Sequence, residues 1–235
     1  MMNSLICESN YDRIFLSEVI RKYFIPNYEP HEVKTTELSG LQEAIRCKIT
    51  KIIIYGDNGK LTISDLIIPR LVLEIVGIRP DNFSFIVILD SDGELDTERL
   101  KKVKGNIDQF LQAKRRTNYN HSVDEQNVCI LLSSNNDTRY IVKFRFFLIP
   151  VSFERQLITK AVENCRSVIS QNRRKHLQDM DPHIALNEIA KALKISKEEL
   201  IRKSVNENWF GNEDWFKKMI SMISESFSHP LCITP

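Results

Sequence analysis

The sequence predicts an α/β fold in which helices flank a mainly parallel sheet, with a helical region after it. Short apolar runs rich in β-branched residues recur at 5–7, 51–55 and 84–89, separated by helical patterns. Strands joined by helical crossovers pair in parallel. Beyond Pro150 only helical periodicity remains. We therefore expect an α/β domain over residues 1–150 and a helical C-terminal region over 151–235.

The front portion alternates strands and helices. After the strand at 5–7, apolar residues at helical spacing predict a helix over 11–24, with Ser9 or Asn10 as its N-cap. The pattern then predicts an edge strand at 32–36, a helix at 38–47, a strand at 51–55, a loop at 56–60, a helix at 61–76 and a strand at 84–89.

The second half begins with a predicted helix at 97–111 and a polar, basic loop at 113–126. Strands follow at 127–132 and 140–149, and helices at 153–173, 184–194, 197–207 and 212–227. Residues 184–200 resemble a helix-turn-helix in pattern, but the turn has no Gly and the second helix begins Lys-Glu-Glu. A helical packing unit is therefore favoured, with an aromatic core of Trp209, Phe210, Trp215 and Phe216.

The composition is that of an ordinary globular protein: 235 residues, 27% charged and 42% hydrophobic. No apolar run approaches the roughly 20 residues of a membrane span, and the first residues do not resemble a signal peptide. We expect a cytoplasmic protein with no membrane partner. The five cysteines lie far apart without a Cys-x-x-Cys, which argues against structural zinc and a disulfide framework.

The net charge of +2 conceals a strong segregation. Residues 1–98 hold 10 Lys/Arg and 16 Asp/Glu, a net −6, whereas residues 99–176 hold 16 and 6, a net +10. Lys101, Lys102, Arg115 and Arg116 belong to the basic portion. Such clusters attract phosphate backbones whatever the base sequence. These four residues are therefore candidates for contacts with nucleic acid.

Three acidic residues follow predicted strands: Glu8 after the first, and Asp90 with Asp92 after the strand at 84–89. Parallel sheets bind ligands outside the carboxyl ends of their strands. On an extended chain, residues two apart face the same way, so Asp90 and Asp92 would repel each other without a cation. Carboxylate oxygens suit Mg²⁺ or Mn²⁺.

These residues carry a family resemblance. The segment from Leu5 to Leu16 resembles the Glu-Gly-x-x-Asp opening of Toprim domains, with Ser9 in place of the Gly. The Asp90-x-Asp92 strand end is similar to their later motif, and Gly56, Gly59 and Lys60 resemble the Gly-Gly-Lys loop of OLD-family nucleases. The resemblance covers residues 4–93 and implies a Rossmann-like Toprim domain.

The resemblance also implies roles for these residues. Glu8, Asp90 and Asp92 would be catalytic and would hold Mg²⁺ or Mn²⁺, with Glu8 as a general acid or base. Gly56, Gly59 and Lys60 would contact phosphate. Glu154 would serve a second metal, although a Glu in the first turn of a helix also fits the helix dipole.

The main hypothesis is a Toprim-type endonuclease that cleaves phosphodiester bonds of nucleic acid. No Walker A motif is present, so we do not expect this chain to hydrolyse ATP. The resemblance to OLD nucleases, which carry an ATPase in the same chain, leaves a partner ATPase open. A homodimer is left open. A non-catalytic nucleic-acid-binding or regulatory Toprim protein is an alternative, since Ser9 replaces the family's Gly. A second alternative is a haloacid-dehalogenase-like phosphatase, because Asp90-x-Asp92-Gly93 is similar to its nucleophile motif.

Overall fold

A computed structural model describes residues 2–24, 30–33, 43, 52–56, 83–92, 98, 101, 105–106, 109, 119–123, 127–133 and 139–228. Within these residues seven strands form one sheet in the order β2-β3-β1-β4-β7-β6-β5. The strands are β1 (Met2–Cys7), β2 (Pro30–Glu32), β3 (Ile52–Gly56), β4 (Phe83–Asp90), β5 (Tyr119–Val123), β6 (Asn127–Ser133) and β7 (Arg139–Ile149).

The first five strands of that order pair in parallel, and β6 and β5 extend the sheet as antiparallel strands. Every residue of β3 and β4 is buried. Burial on both faces is characteristic of parallel strands covered by other elements on each side, and it explains their unbroken apolar sequence. The predicted Rossmann-like α/β fold is thus confirmed.

Helices of the described part include one after β1 and five after β7. They are α1 (Asn10–Tyr23), α2 (Phe153–Asn164), α3 (Gln171–Asp179), α4 (Pro182–Leu193), α5 (Lys197–Asn206) and α6 (Asp214–Ser228). Capping boxes start α1 at Ser9 and α5 at Ser196. Lys194 ends α4 in the left-handed conformation, with φ 57°, which is the position where a Gly usually stands.

The main core joins α1 to the C-terminal helices. Phe15 of α1 packs on Phe153 of α2, with ring centroids 4.5 Å apart, and also contacts Phe210, Trp215 and Phe216. The predicted aromatic core is therefore confirmed. These side chains belong to one apolar cluster that includes sheet residues such as Ile88, so the core continues across residue 150.

Two sequence-based element predictions were wrong. The loop predicted over 113–126 contains β5. The polar sequence of β5 shows no apolar alternation, and it is backbone pairing with β6 that forms the strand. The single helix predicted over 153–173 breaks after Asn164 and restarts at Gln171. Buried Cys165 and Ile169 continue the apolar spacing through the intervening turn, which makes the sequence look continuous.

Other boundaries move by a few residues, and some predictions lie outside the described part. The edge strand is Pro30–Glu32 rather than 32–36. Residue 43 of the predicted helix at 38–47 is helical, as are residues 98, 101, 105, 106 and 109 of the helix predicted at 97–111. The predicted loop at 56–60, beyond Gly56, and the predicted helix at 61–76 lie outside the described residues.

Candidate functional site

The carboxyl ends of β1 and β4 meet at the topological switch point of the sheet. The chain leaves β1 toward β2 and β3 on one side, whereas it leaves β4 toward β7 on the other. Ligand sites of open α/β sheets lie at such a point. Glu8 follows β1 directly, Asp90 is the last residue of β4, and their exposed fractions are only 4% and 6%.

The β1–α1 corner, residues 7–12, is held by local contacts. The Ser9 hydroxyl accepts a hydrogen bond from the Asp12 backbone N–H at 3.1 Å, and Asp12 Oδ2 accepts one from the Ser9 N–H at 2.9 Å. This reciprocal pair is a capping box. It gives Ser9 a structural role as the N-cap of α1.

Gly56, predicted to bind phosphate, packs against this corner. A Cβ at Gly56 would lie 2.5 Å from the Ser9 backbone oxygen and 3.1 Å from Arg13 Cβ. Only a residue without a side chain lets the end of β3 approach Ser9 so closely. The described contacts of Gly56 therefore explain its presence by packing, while a phosphate contact stays a prediction.

The β4–α2 corner, residues 90–92 and 150–154, is held by contacts between segments about 60 residues apart. The Phe153 N–H at the start of α2 donates to Asp90 Oδ1 at 2.9 Å. The Val151 N–H donates to the Ser91 hydroxyl, and the Asp92 N–H donates to the Val151 carbonyl, both at 2.9 Å. The α2 N-terminus therefore positions the Asp90 carboxylate, and its dipole stabilises the negative charge.

Two residues of the β4–α2 corner adopt left-handed backbone conformations. Asp92 has φ 52° and Val151 has φ 62°. The strand ends at Asp90, so the extended geometry assumed for Asp90 and Asp92 does not continue to Asp92, which is exposed. A β-branched residue at positive φ is rare and strained, and such strain is concentrated at functional sites.

Asp12 is a further carboxyl group of this region. Burial raises the pKa of Asp12 well above its usual range, and the negative charges of Asp90, Glu154 and Glu8 raise it further, against the opposing hydrogen bond from Ser9. Its Oδ1 atom is buried with no hydrogen-bond partner within the described residues. Four carboxyl groups therefore act on one small region beside the switch point.

Asp12 occupies the Asp position of the Glu-Gly-x-x-Asp pattern, but it was not among the site residues predicted from the sequence. The available signal was the Ser9-x-x-Asp12 spacing, which also describes an ordinary helix start. What distinguishes Asp12 is its burial, with 3% of its surface exposed. That burial follows from the packing of α1 against the sheet, which a motif does not reveal.

Glu154 lies in the first turn of α2, two residues after the N-cap Ser152, and is half-buried. The negative charge of Glu154 raises the pKa of Asp12. Glu154 therefore belongs both to the start of α2 and to the carboxyl region, which comprises Glu8, Asp12, Asp90 and Glu154. Both interpretations of Glu154 offered by the sequence are therefore compatible with its position.

The predicted basic contacts are only partly described. Lys101 is helical and exposed. The other phosphate-binding and nucleic-acid-binding candidates lie outside the described residues: Gly59, Lys60, Lys102, Arg115 and Arg116.

The donor set suits a hard divalent cation, because carboxylate oxygens are the ligands that Mg²⁺ and Mn²⁺ prefer. Among the residues the structure describes, however, no three His, Cys, Asp or Glu side chains form a group able to hold a metal ion. Glu8 and Asp90 are therefore not part of a complete ligand set drawn from the described residues alone. None of the described helices is long and apolar enough to cross a bilayer.

Comparison with protein-family models, curated proteins and solved structures finds no match to this chain. The class of protein that the structure itself defines is a Rossmann-like α/β protein with buried carboxyl groups at the switch point of its sheet.

Proposed function

We propose that this protein catalyses Mg²⁺- or Mn²⁺-dependent hydrolysis of phosphodiester bonds in nucleic acid, as a Toprim-type endonuclease. The observation that carries the proposal is the burial of Glu8, Asp12 and Asp90 together at the carboxyl ends of β1 and β4. Hydrogen bonds satisfy Asp12 and Asp90 in part, but gathering several buried carboxyl groups still costs free energy, and a bound cation would lower that cost.

Glu8 and Asp90 would hold the metal ion, with Asp12, Asp92 or Glu154 completing its ligands. A bound Mg²⁺ would stabilise the negative charge that develops on a phosphoryl group. Within the chain, Asp90 is held by the Phe153 N–H and so has a defined orientation. Glu8 lies at the loop after β1, where its carboxylate could move a proton to or from the attacking water.

A non-catalytic nucleic-acid-binding or regulatory protein is the second candidate function. It is favoured by two observations: the described residues contain no complete metal-binding group, and Ser9 closes a helix cap where Toprim enzymes usually have Gly. A partner ATPase and a homodimer remain predictions under either candidate.

The experiment measures cleavage of supercoiled plasmid DNA and of RNA with Mg²⁺ or Mn²⁺. Wild type is compared with Glu8→Gln and Asp90→Asn, and Asp214→Asn is the control because its side chain is 91% exposed on α6. We expect activity in wild type and Asp214→Asn and background levels in the two site variants. Equal activity in all four proteins would contradict a nuclease site at Glu8 and Asp90.

Two further measurements separate the alternatives. Nucleic-acid binding without cleavage in wild type, under both metals, would favour the non-catalytic candidate. Phosphate release from p-nitrophenyl phosphate, together with an aspartyl-phosphate on Asp90, would instead identify a phosphatase.

A further inference from the structure

Residues 165–178 form a segment with an unusual charge distribution. This segment, here called the basic segment, comprises the turn after α2 and nearly all of α3. It contains no Asp or Glu, and its cations are Arg166, Arg173, Arg174 and Lys175. Its only fully buried side chains are Cys165, Ile169 and Leu177, so it lies on the surface.

The path of α3 brings the basic segment toward the carboxyl region. α3 starts a few residues after the end of α2, and the Arg155 guanidinium in the first turn of α2 donates a hydrogen bond to the Gln178 carbonyl at 2.6 Å. α3 therefore runs back along α2, and its last turn adjoins the helix start whose Phe153 N–H holds Asp90.

The cations of the basic segment differ in availability. Arg174 donates to the carbonyls of Ile169 and Arg166 and thereby holds the turn. Arg173 pairs with Glu188, but both side chains are substantially exposed, and such pairs contribute little free energy. Arg166 and Lys175 are exposed and have no acidic partner in the part of the chain that the structure describes.

The local stability of α3 does not explain this composition. Its N-cap residue Ser170 makes no side-chain cap, its first turn has no acidic residue, and Asp179 stands at the unfavourable C-terminal end. By contrast, α5 has a capping box and a Lys203–Glu207 pair at i,i+4 spacing. Of the adjacent cations Arg173, Arg174 and Lys175, only Arg173 has an acidic partner among the described residues. A phosphate backbone would relieve their mutual repulsion.

We propose that the basic segment holds the phosphate backbone of nucleic acid where it leads away from the carboxyl region along α2 and α3, with Lys175 on α3 and Arg166, beyond the far end of α2, as its main contacts. This inference rests on the proposed function, because it assigns the substrate surface of the same site. Phosphate contacts of this kind position a strand without reading its sequence. The shared chemistry is the phosphodiester backbone, whether of DNA or of RNA.

The test measures binding of fluorescein-labelled duplex DNA and of single-stranded RNA by fluorescence anisotropy across a series of salt concentrations. The variant is Arg166→Gln/Lys175→Gln. The matched control is Lys191→Gln/Lys218→Gln, which removes the same charge from exposed positions on α4 and α6. For duplex DNA, losing two phosphate contacts lowers the slope of log affinity against log salt by about 1.8.

We expect the variant to bind about tenfold more weakly than wild type at low salt, and the control to bind nearly as wild type does. The nucleic acid that binds the variant more weakly than it binds wild type is the one whose backbone this surface holds. Equal affinities and slopes in variant and control would overturn the inference while leaving the proposed function intact. Absence of binding by wild type to either nucleic acid would instead overturn the proposed function. If polyglutamate displaced the labelled nucleic acid as effectively as unlabelled DNA does, the inference of a backbone-binding surface would be overturned and an acidic protein partner indicated.

Discussion

The β1–α1 corner and the β4–α2 corner both deliver carboxyl groups to the switch point, but different contacts hold them in place. In the β1–α1 corner, Ser9 and Asp12 bind each other three residues apart, and the backbone is unstrained at Ser9. In the β4–α2 corner, Asp90 and Ser91 bind residues about 60 positions away, and Asp92 and Val151 adopt left-handed conformations. The first corner is built locally, whereas the second depends on the assembled sheet.

This difference indicates how the site forms. The capping box of α1 uses contacts within four consecutive residues, so the backbone geometry of Ser9 and Asp12 needs no pairing of distant segments. The Asp90 carboxylate meets the Phe153 N–H only once β4 and β7 have paired, because those residues are brought together by the sheet. Four predictions test this comparison, in order of decreasing effect.

The largest effect is expected for Gly56→Ala. The added Cβ would meet the Ser9 backbone oxygen at 2.5 Å, so the β1–α1 corner must move. We expect a loss of about 2 kcal/mol in the free energy of unfolding, measured with urea. Gly105→Ala is the control: this helical Gly has open space around it, and the change should raise stability by about 0.5–1 kcal/mol. Equal free energies of unfolding for Gly56→Ala and Gly105→Ala would show that the close approach at Gly56 is unimportant.

The second prediction concerns pH. The raised pKa of Asp12 means that below about pH 4 the folded and unfolded chains both carry its proton. As pH rises further, the unfolded chain loses that proton first, so the free energy of unfolding falls until the folded pKa is passed. In metal-free buffer Asp12→Asn should reduce this fall, whereas Asp214→Asn should retain it. Urea unfolding at several pH values measures the free energy of unfolding of each protein. Identical pH profiles for wild type and Asp12→Asn would contradict a raised pKa at Asp12.

The third prediction compares two capping boxes. Ser9→Ala and Ser196→Ala each remove one N-cap hydroxyl, at the start of α1 and of α5, and each should cost about 1 kcal/mol of stability. Only Ser9 adjoins the carboxyl region, so only Ser9→Ala should also change Mn²⁺ binding, measured by calorimetry. A change in Mn²⁺ affinity of equal size in both variants would show that the effect is general.

The smallest effect is expected at Val151. Its side chain is 54% exposed and its φ is 62°, so Val151→Gly should relieve strain and raise stability by about 0.5–1 kcal/mol in thermal unfolding. Val168→Gly is the matched control, because Val168 is similarly exposed without a positive φ. That variant should lose stability. A loss of stability in both Val151→Gly and Val168→Gly would mean that the backbone at Val151 is not strained.

Much of the architecture was predictable because it depends on patterns within the sequence. Apolar β-branched runs at 51–55 and 84–89 correspond to β3 and β4, and the helical spacing after Ser9 corresponds to α1. Glu8 and Asp90 were identified as strand-end residues, and their burial at the switch point agrees with that prediction. β5 was not predicted because backbone pairing stabilises this polar edge strand, and backbone pairing produces no pattern in the side-chain sequence.

By itself the sequence determined the parallel sheet, the strand-end positions of Glu8 and Asp90, and the aromatic core, because periodicity and composition encode local geometry and burial. Only the tertiary structure decided the rest. It placed Asp90 and Glu154 within electrostatic reach of Asp12, and it gave Ser9 and Gly56 a shared packing role. It also turned the basic segment back toward the site. These relations depend on contacts between segments far apart in the chain, whose distances no linear pattern specifies.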